Sequence, residues 1–169
     1  MATIQLIRNA NLKITLNTSV FLIDPMLGEK ASFESYGNVA KNPITELPLP
    51  VAEITNDVDA VIVSHLHKDH LDDAAKTIIE KSIPFFCQPT NANPIKEAGF
   101  LNITEIETSI SFNDIKIHRT SGKHGRGKIE ELMGKVSGFV LKAKNEPSIY
   151  IVGDSVFNDD VKKAIDTYQ

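Results

Sequence analysis

The stretch Ser64-His65-Leu66-His67-Lys68-Asp69-His70-Leu71-Asp72 follows directly on the apolar run Ala60-Val61-Ile62-Val63. That run is short and β-branched, with Asp57 and Asp59 before it, and it predicts a buried strand entering a loop. Three of the chain's five histidines fall in this loop. On an extended backbone residues i and i+2 share a side, so His65, His67 and Asp69 are expected to converge while Leu66 and Lys68 point elsewhere. His70 then faces a second point nearby as the chain turns into a helix. Neutral imidazole with carboxylate suits zinc, and also accepts manganese, iron or nickel, whereas magnesium or calcium would call for oxygen ligands throughout. The competing reading is a polar surface loop that binds metal only adventitiously. The density of donors straight after a buried strand argues against it.

His65-x-His67-x-Asp69-His70 resembles the signature of the metallo-β-lactamase superfamily, metal-dependent hydrolases built on an α/β, four-layer αββα sandwich. The resemblance implies a site for one or two ions with a hydroxide held on the metal.

At 169 residues the chain is expected to form one domain over 1–169, large enough to enclose a core. Hydrophobic residues make up 41% and charged residues 24%, an ordinary soluble composition with no run long enough to span a bilayer and no basic-then-apolar start. A cytoplasmic location and no membrane partner are the expectations. Cys87, the single cysteine, lies in Ile83-Pro84-Phe85-Phe86-Cys87 and reads as a core thiol. A net charge of -4 argues against nucleic-acid binding driven by the phosphate backbone, and the absence of Trp removes one stacking platform. A small-molecule substrate is the expected partner, and an oligomer remains open.

From the N-terminus, Thr3–Ile7 and Leu12–Leu16 alternate as half-buried strands, and Val20–Ile23 is a continuous apolar strand ending at Asp24-Pro25. This predicts a β-meander. Asp24 either caps that turn or, as the resemblance implies, orients the metal loop through hydrogen bonds. Between Met26 and Asn56 the pattern dissolves around Gly28, Gly37, Pro43, Pro48 and Pro50. Such a loop is expected to be a lid or cleft wall with Phe33 and Tyr36 as packing contacts, or else a surface excursion. Asp72–Lys81 predicts a helix burying Leu71, Ala74, Ala75, Ile78 and Ile79. A strand at Phe85–Cys87 and a short helix through Pro94–Ala98, capped by Asn91 or Asn93 and stopped by Gly99, come next. Then come a strand at Asn102–Glu107 and a hairpin over Ile110–Ile117 turning at Asn113-Asp114.

Two further strand ends carry candidate chemistry. Ile115-Lys116-Ile117-His118-Arg119-Thr120-Ser121-Gly122-Lys123-His124-Gly125-Arg126-Gly127 delivers a histidine into a glycine-rich loop. His118 continues the strand's alternation, whereas His124, between Gly122 and Gly125, is free to turn toward a site. Ile149-Tyr150-Ile151-Val152-Gly153-Asp154 ends a strand on a carboxylate, by itself a weak signal, with Val136–Leu141 as its pairing strand and Asp160–Thr167 as a closing helix. The family resemblance assigns His65, His67 and His124 to a first ion, and Asp69, His70 and Asp154 to a second, with Asp154 bridging and Asp69 or Asp154 serving catalysis.

The family's final histidine has no counterpart after His124. The expectation is therefore a short second half, arising either from a chain incomplete at its C-terminus or from a reduced second site. The implied function is hydrolysis of an ester, lactone or phosphoester of a small, anionic substrate, with Lys123 and Arg126 as candidate substrate contacts. The alternative is a catalytically weak metal-binding or sensory domain, and a nuclease is disfavoured by the acidic balance. The stretch Gly134–Val140 is similar to the branch containing the ascorbate-6-phosphate lactonase-like hydrolases.

Overall fold

The structure is a computed structural model that describes residues 1–35 and 39–168. Three strands open the chain as an antiparallel meander: β1 (Thr3–Arg8), β2 (Asn11–Leu16) and β3 (Ser19–Ile23). Asn9 and Asn17, at the two turns, take positive φ, which asparagine tolerates better than most residues. The segment after β3 holds a two-stranded ribbon, β4 (Phe33–Glu34) with β5 (Lys41–Asn42), and a short helix α1 (Val51–Thr55). Tyr36, expected as a packing contact of a lid, lies outside the described residues.

β6 (Ala60–Val63) adds parallel to β3, and all four of its residues are buried. Helix α2 (Asp73–Ile78), strand β7 (Pro84–Cys87), helix α3 (Ala92–Glu97) and strand β8 (Asn102–Glu105) follow. They complete a six-stranded sheet in the order β1-β2-β3-β6-β7-β8. β9 (Ser109–Phe112), β10 (Ile115–Lys123), helix α4 (Lys128–Met133), β11 (Lys135–Ala143) and β12 (Ile149–Ile151) come next. Their strands form a second, antiparallel sheet ordered β12-β11-β10-β9, and helix α5 (Asp159–Tyr168) closes the chain.

Two apolar layers explain the stacking. Ile14, Leu16, Phe21, Ile23 and Ile62 from the first sheet meet Ile115, Ile117, Phe139, Leu141 and Ile151 from the second. The opposite face of the first sheet, through Leu22, Val61, Val63, Phe85 and Cys87, packs on Ile54, Leu71, Ala75 and Ile95 from the helical side. Helix α5 covers the outer face of the second sheet with Val161 and Ala164, and Tyr168 stacks near His118 at 4.7 Å between ring centroids. The result is a helix–sheet–sheet–helix sandwich whose last layer is thin.

Several local expectations change. Ile4 and Leu6 are exposed rather than half-buried, because β1 is the edge of a six-stranded sheet facing only four strands. Helix α2 ends at Ile78, not Lys81, and Ile78 is exposed while Leu71, Ala75 and Ile79, spaced four apart, are buried. Asn91 makes no side-chain cap on α3; the Glu105 carboxylate accepts from Ala92 N instead, at 2.9 Å. Cys87 is buried as expected, and burial pushes its thiol up to about 12. No helix among the described residues is long and apolar enough to cross a membrane.

Candidate metal centre

Parallel strands β3 and β6 end side by side, and β10 and β12 end on the facing sheet at the same rim. The first sheet sends Asp24 and the loop Ser64–His70 to that rim, and the second sends His124 and Asp154. Asp24 leaves β3 with φ 45°, its N–H donating to Ile62 O at 2.9 Å, and is 1% exposed. The histidine loop does not stay extended. His70 N and Leu71 N both donate to His67 O, at 2.9 and 3.0 Å, so residues 68–70 turn.

That turn changes which donors meet. His65, His67 and His124 offer nitrogen atoms lying within 4.8 Å of one another, and His65, His70 and Asp154 form a second such group. Asp69, expected to converge with His65 and His67 by alternation, belongs to neither group among the described residues, because the turn rotates it out of register. Its charge still reaches His67, and its Oδ1 is buried without a hydrogen-bond partner.

The supporting hydrogen bonds fix the rings. Ser64 Oγ donates to Asp24 Oδ2 at 2.8 Å, while Asp24 Oδ1 accepts from Ser64 N at 2.7 Å. With its one proton committed, the hydroxyl accepts from His65 Nδ1 at 3.0 Å, which leaves His65 Nε2 as a lone-pair donor facing the site. His70 Nδ1 lies 2.9 Å from Asp24 Oδ2, and its Nε2 is 3.2 Å from Asp154 Oδ1. Asp24 thus holds the histidine loop through Ser64 and His70, and does more than cap the turn at Pro25.

His65 Nε2 and His67 Nδ1 are 3.0 Å apart. Two nitrogens bound tetrahedrally to one zinc at 2.0–2.1 Å stand about 3.3 Å apart, so the spacing fits a shared ion. The second carboxylate oxygen of Asp154 sits 3.3 Å from His124 Nε2, yet that buried nitrogen has no aligned hydrogen bond. His124 Nε2 and, on the histidine loop, Asp69 Oδ1 are both buried polar atoms without a hydrogen-bond partner, and such atoms in a cluster of metal-type donors suit a cation. The residues present fit a divalent metal.

Electrostatics agree. Burial, then the neighbouring His70 and His67, pulls His65 down to about 2, and burial with His124 lowers His67, so both are neutral donors at neutral pH. For His70 burial pulls downward, but the hydrogen bonds and charges of Asp154 and Asp24 outweigh it and raise the pKa to about 10. Asp154, hydrogen-bonded by His70, is held down at about 2.

The backbone places Asp154 through Gly153, which has φ +66°. A Cβ there would lie 2.8 Å from Ser137 O and 3.2 Å from Ser64 Cβ, so only glycine lets β12 deliver its carboxylate past the first sheet. Lys123 and Arg126 line an open groove with Glu130, Phe157, Asp159 and Lys162, and none of the histidines lines it. The Lys123 ammonium is 3.8 Å from Glu130. His118 lies on the outer sheet face, away from the rim, as its alternation implied.

Arg8 escaped the sequence reading. It is 4% exposed, and its guanidinium donates to Met26 O at 3.1 Å, Gly28 O at 2.7 Å and Thr45 O at 3.0 Å. Gly28 N in turn donates to Asp72 Oδ2 at 2.6 Å, and Asp72 caps helix α2 through Ala75 N at 2.7 Å. An arginine closing an otherwise alternating strand was the only local hint.

A helix–sheet–sheet–helix sandwich with histidines and carboxylates gathered where the two sheets end defines a protein of the metallo-β-lactamase fold. The pattern described as the beta-lactamase superfamily domain matches residues 20–168, and the chain belongs to that family. It is 39% identical to protein YddR of Bacillus subtilis (strain 168), over 96% of this chain and 66% of YddR. Among solved structures it resembles one described as a possible metal-dependent hydrolase from Veillonella parvula, with TM-score 0.93, 36% identity and coverage of 96% of this chain and 66% of that one. It also resembles an isothiocyanate hydrolase from Delia radicum gut bacteria, with TM-score 0.92, 34% identity and coverage of 99% and 68%. The chain spans about two thirds of the length of these relatives.

Proposed function

We propose that this chain carries the metal centre of a hydrolase acting on a small molecule. The observation that supports the reading is the pair of donor groups sharing His65 across the two sheets. His65, His67 and His124 would hold a first ion, and His70 and Asp154 a second, with zinc the leading choice and manganese, iron or nickel also suited to the donors. When bound, such an ion lowers the pKa of a water from 15.7 to about 7 and polarises the bond under attack. Asp154, held at about 2 and so ionised at neutral pH, would supply a carboxylate oxygen able to accept a hydrogen bond from a nucleophilic water. Asp69 Oδ1, buried and unpartnered beside His67, is the atom we assign to take the proton.

For the substrate, the groove lined by the sequence neighbours of His124 sets Lys123, Arg126 and Lys162 against Glu130, Asp159 and Asp160. These charges balance, which favours an uncharged electrophile, an ester or lactone, over an anionic phosphoester. The structural relative from Delia radicum gut bacteria hydrolyses isothiocyanates, and the N=C=S carbon belongs in the same set of candidate substrates.

Elemental analysis together with turnover of p-nitrophenyl acetate, benzyl isothiocyanate and bis-p-nitrophenyl phosphate tests the proposal. The expected result is about one to two equivalents of metal per chain, turnover of a neutral substrate, and loss of most metal and all turnover in His67→Ala. Metal content unchanged by His67→Ala overturns the site. Phosphodiester cleavage faster than that of either neutral substrate overturns the substrate class.

A further inference from the structure

The proposed ligands sit on two different sheets, so something must fix the gap between them. His65, His67 and His70 follow β6, whereas His124 and Asp154 follow β10 and β12. Near the rim the apolar filling between the sheets gives way to polar side chains. On β10 the inner-face positions Ile115 and Ile117 are followed by Arg119, and on β11 Leu141 and Phe139 give way to Ser137.

Ser137 touches both halves of the centre. Its N–H donates to Ser64 O at 3.4 Å, and its own carbonyl oxygen is the atom against which Gly153 is packed, one residue before Asp154. Its side chain is held from the opposite sheet. Ser137 Oγ donates to Gln88 Oε1 at 2.9 Å, and Gln88 Nε2 donates to Lys135 O at 2.9 Å. Arg119 Nη1 donates to Ser137 Oγ at 3.3 Å, with its remaining fork on Glu107 O at 3.0 and 2.8 Å. Gln88 is 4% exposed and Ser137 1%, so neither can exchange these partners for bulk water.

Gln88 stands just past β7, the strand beside β6, and makes one side-chain bond to Ser137 and one to the backbone at the start of β11. We propose that Gln88 is a positioning residue: with Ser137 it clasps the two sheets at the rim and sets the separation between the histidine loop and the pair His124 and Asp154. The inference rests on the metal-centre reading above. Its physical content is that metal-ligating groups need support to within a fraction of an ångström, and supporting partners change metal affinity about 10–100-fold when removed.

A control is built into the fold. At the other end of the sandwich Asn113 Nδ2 donates to Ser19 Oγ at 2.8 Å, also joining the two sheets, with Ser19 1% exposed. A clasp that merely stabilised the sandwich would be equivalent to this one.

The experiment is titration of the metal-free protein with Co2+, followed by its visible absorption and by competition with a chelator. Gln88→Leu and Ser137→Ala are each expected to weaken Co2+ binding about tenfold or more and to alter the absorption bands. The double variant is expected to lose less than the sum of the two single losses, since both cut the bond between Ser137 and Gln88. Ser19→Ala is expected to bind Co2+ like the unsubstituted protein. If Gln88→Leu does not fold, Ser137→Ala, which removes a single hydroxyl, decides the question. Affinity and spectrum unchanged in Ser137→Ala, or changed no more than in Ser19→Ala, overturn the clasp. Failure of the unsubstituted protein to bind Co2+, or binding that His67→Ala leaves intact, overturns the metal centre itself and is told apart by that readout.

Discussion

Ser64 has one hydroxyl proton, and its oxygen lies near Asp24, His65 and His70 at 2.8, 3.0 and 3.2 Å. Because the carboxylate can only accept, the proton goes to Asp24 and the imidazoles must donate, which turns Nε2 of both His65 and His70 toward the centre. Asp24 therefore sets two tautomers, one directly and one through Ser64. Asn at position 24 keeps the shape and tolerates the backbone φ of 45°, so Asp24→Asn isolates the charge and the acceptor capacity from the fold. Metal affinity is expected to fall about 10–100-fold in that variant with the circular dichroism unchanged. Equilibrium competition with a chelator measures this, and wild-type affinity in Asp24→Asn would show that the ligands orient themselves.

Helix α2 has only six residues and cannot hold itself in water, so its N-terminus depends on Asp72. One carboxylate oxygen caps Ala75 N, and the other accepts from Gly28 N, while the carbonyl oxygen of Gly28 accepts from Arg8. Asp72→Ala removes a cap worth about 1 kcal/mol and leaves a buried N–H unsatisfied at about 1–3 kcal/mol, a loss of about 2–4 kcal/mol in all. Urea unfolding checks the figure, and a loss below about 1 kcal/mol would mean that the cap alone mattered. This element shows where the sequence stops being informative. The strands, the turn at Asn113 and the delivery of each histidine or aspartate at a strand end are written in local alternation and in a few glycines. The second roles of Asp72, Asp24 and Gln88 are not, because their partners lie 44, 40 and 49 residues away and any polar residue could have stood there. The same limit explains Asp69, whose placement followed a turn held by His67 O that period-two reasoning cannot see.

For the whole molecule, the metal-free protein holds ionisable groups whose folded pKa values are driven apart, and the consequence is a stability profile with a maximum. His70 is raised from 6.5 to about 10, so the folded chain binds the extra proton; that stabilisation is complete below 6.5 and is lost as pH rises through 10. His65 is lowered from 6.5 to about 2, so below 6.5 the unfolded chain binds more protons and stability falls with pH; His67 contributes in the same direction. Asp154, lowered from 3.8 to about 2, withdraws its contribution as pH drops through that interval. Together these terms place the greatest stability of the metal-free protein close to pH 6.5, declining on both sides. An ion held by His70 and Asp154 displaces the His70 proton, so its uptake strengthens as pH rises from 6.5 toward 10 and offsets the alkaline decline. Thermal melts across pH in chelator and in excess Zn2+ are therefore expected to separate increasingly on the alkaline side, with the zinc-loaded maximum shifted upward. A separation that stays constant from pH 6.5 to 9 would mean that His70 carries only one ring proton in the metal-free fold, and that Asp24 and Asp154 do not act on it as their distances imply.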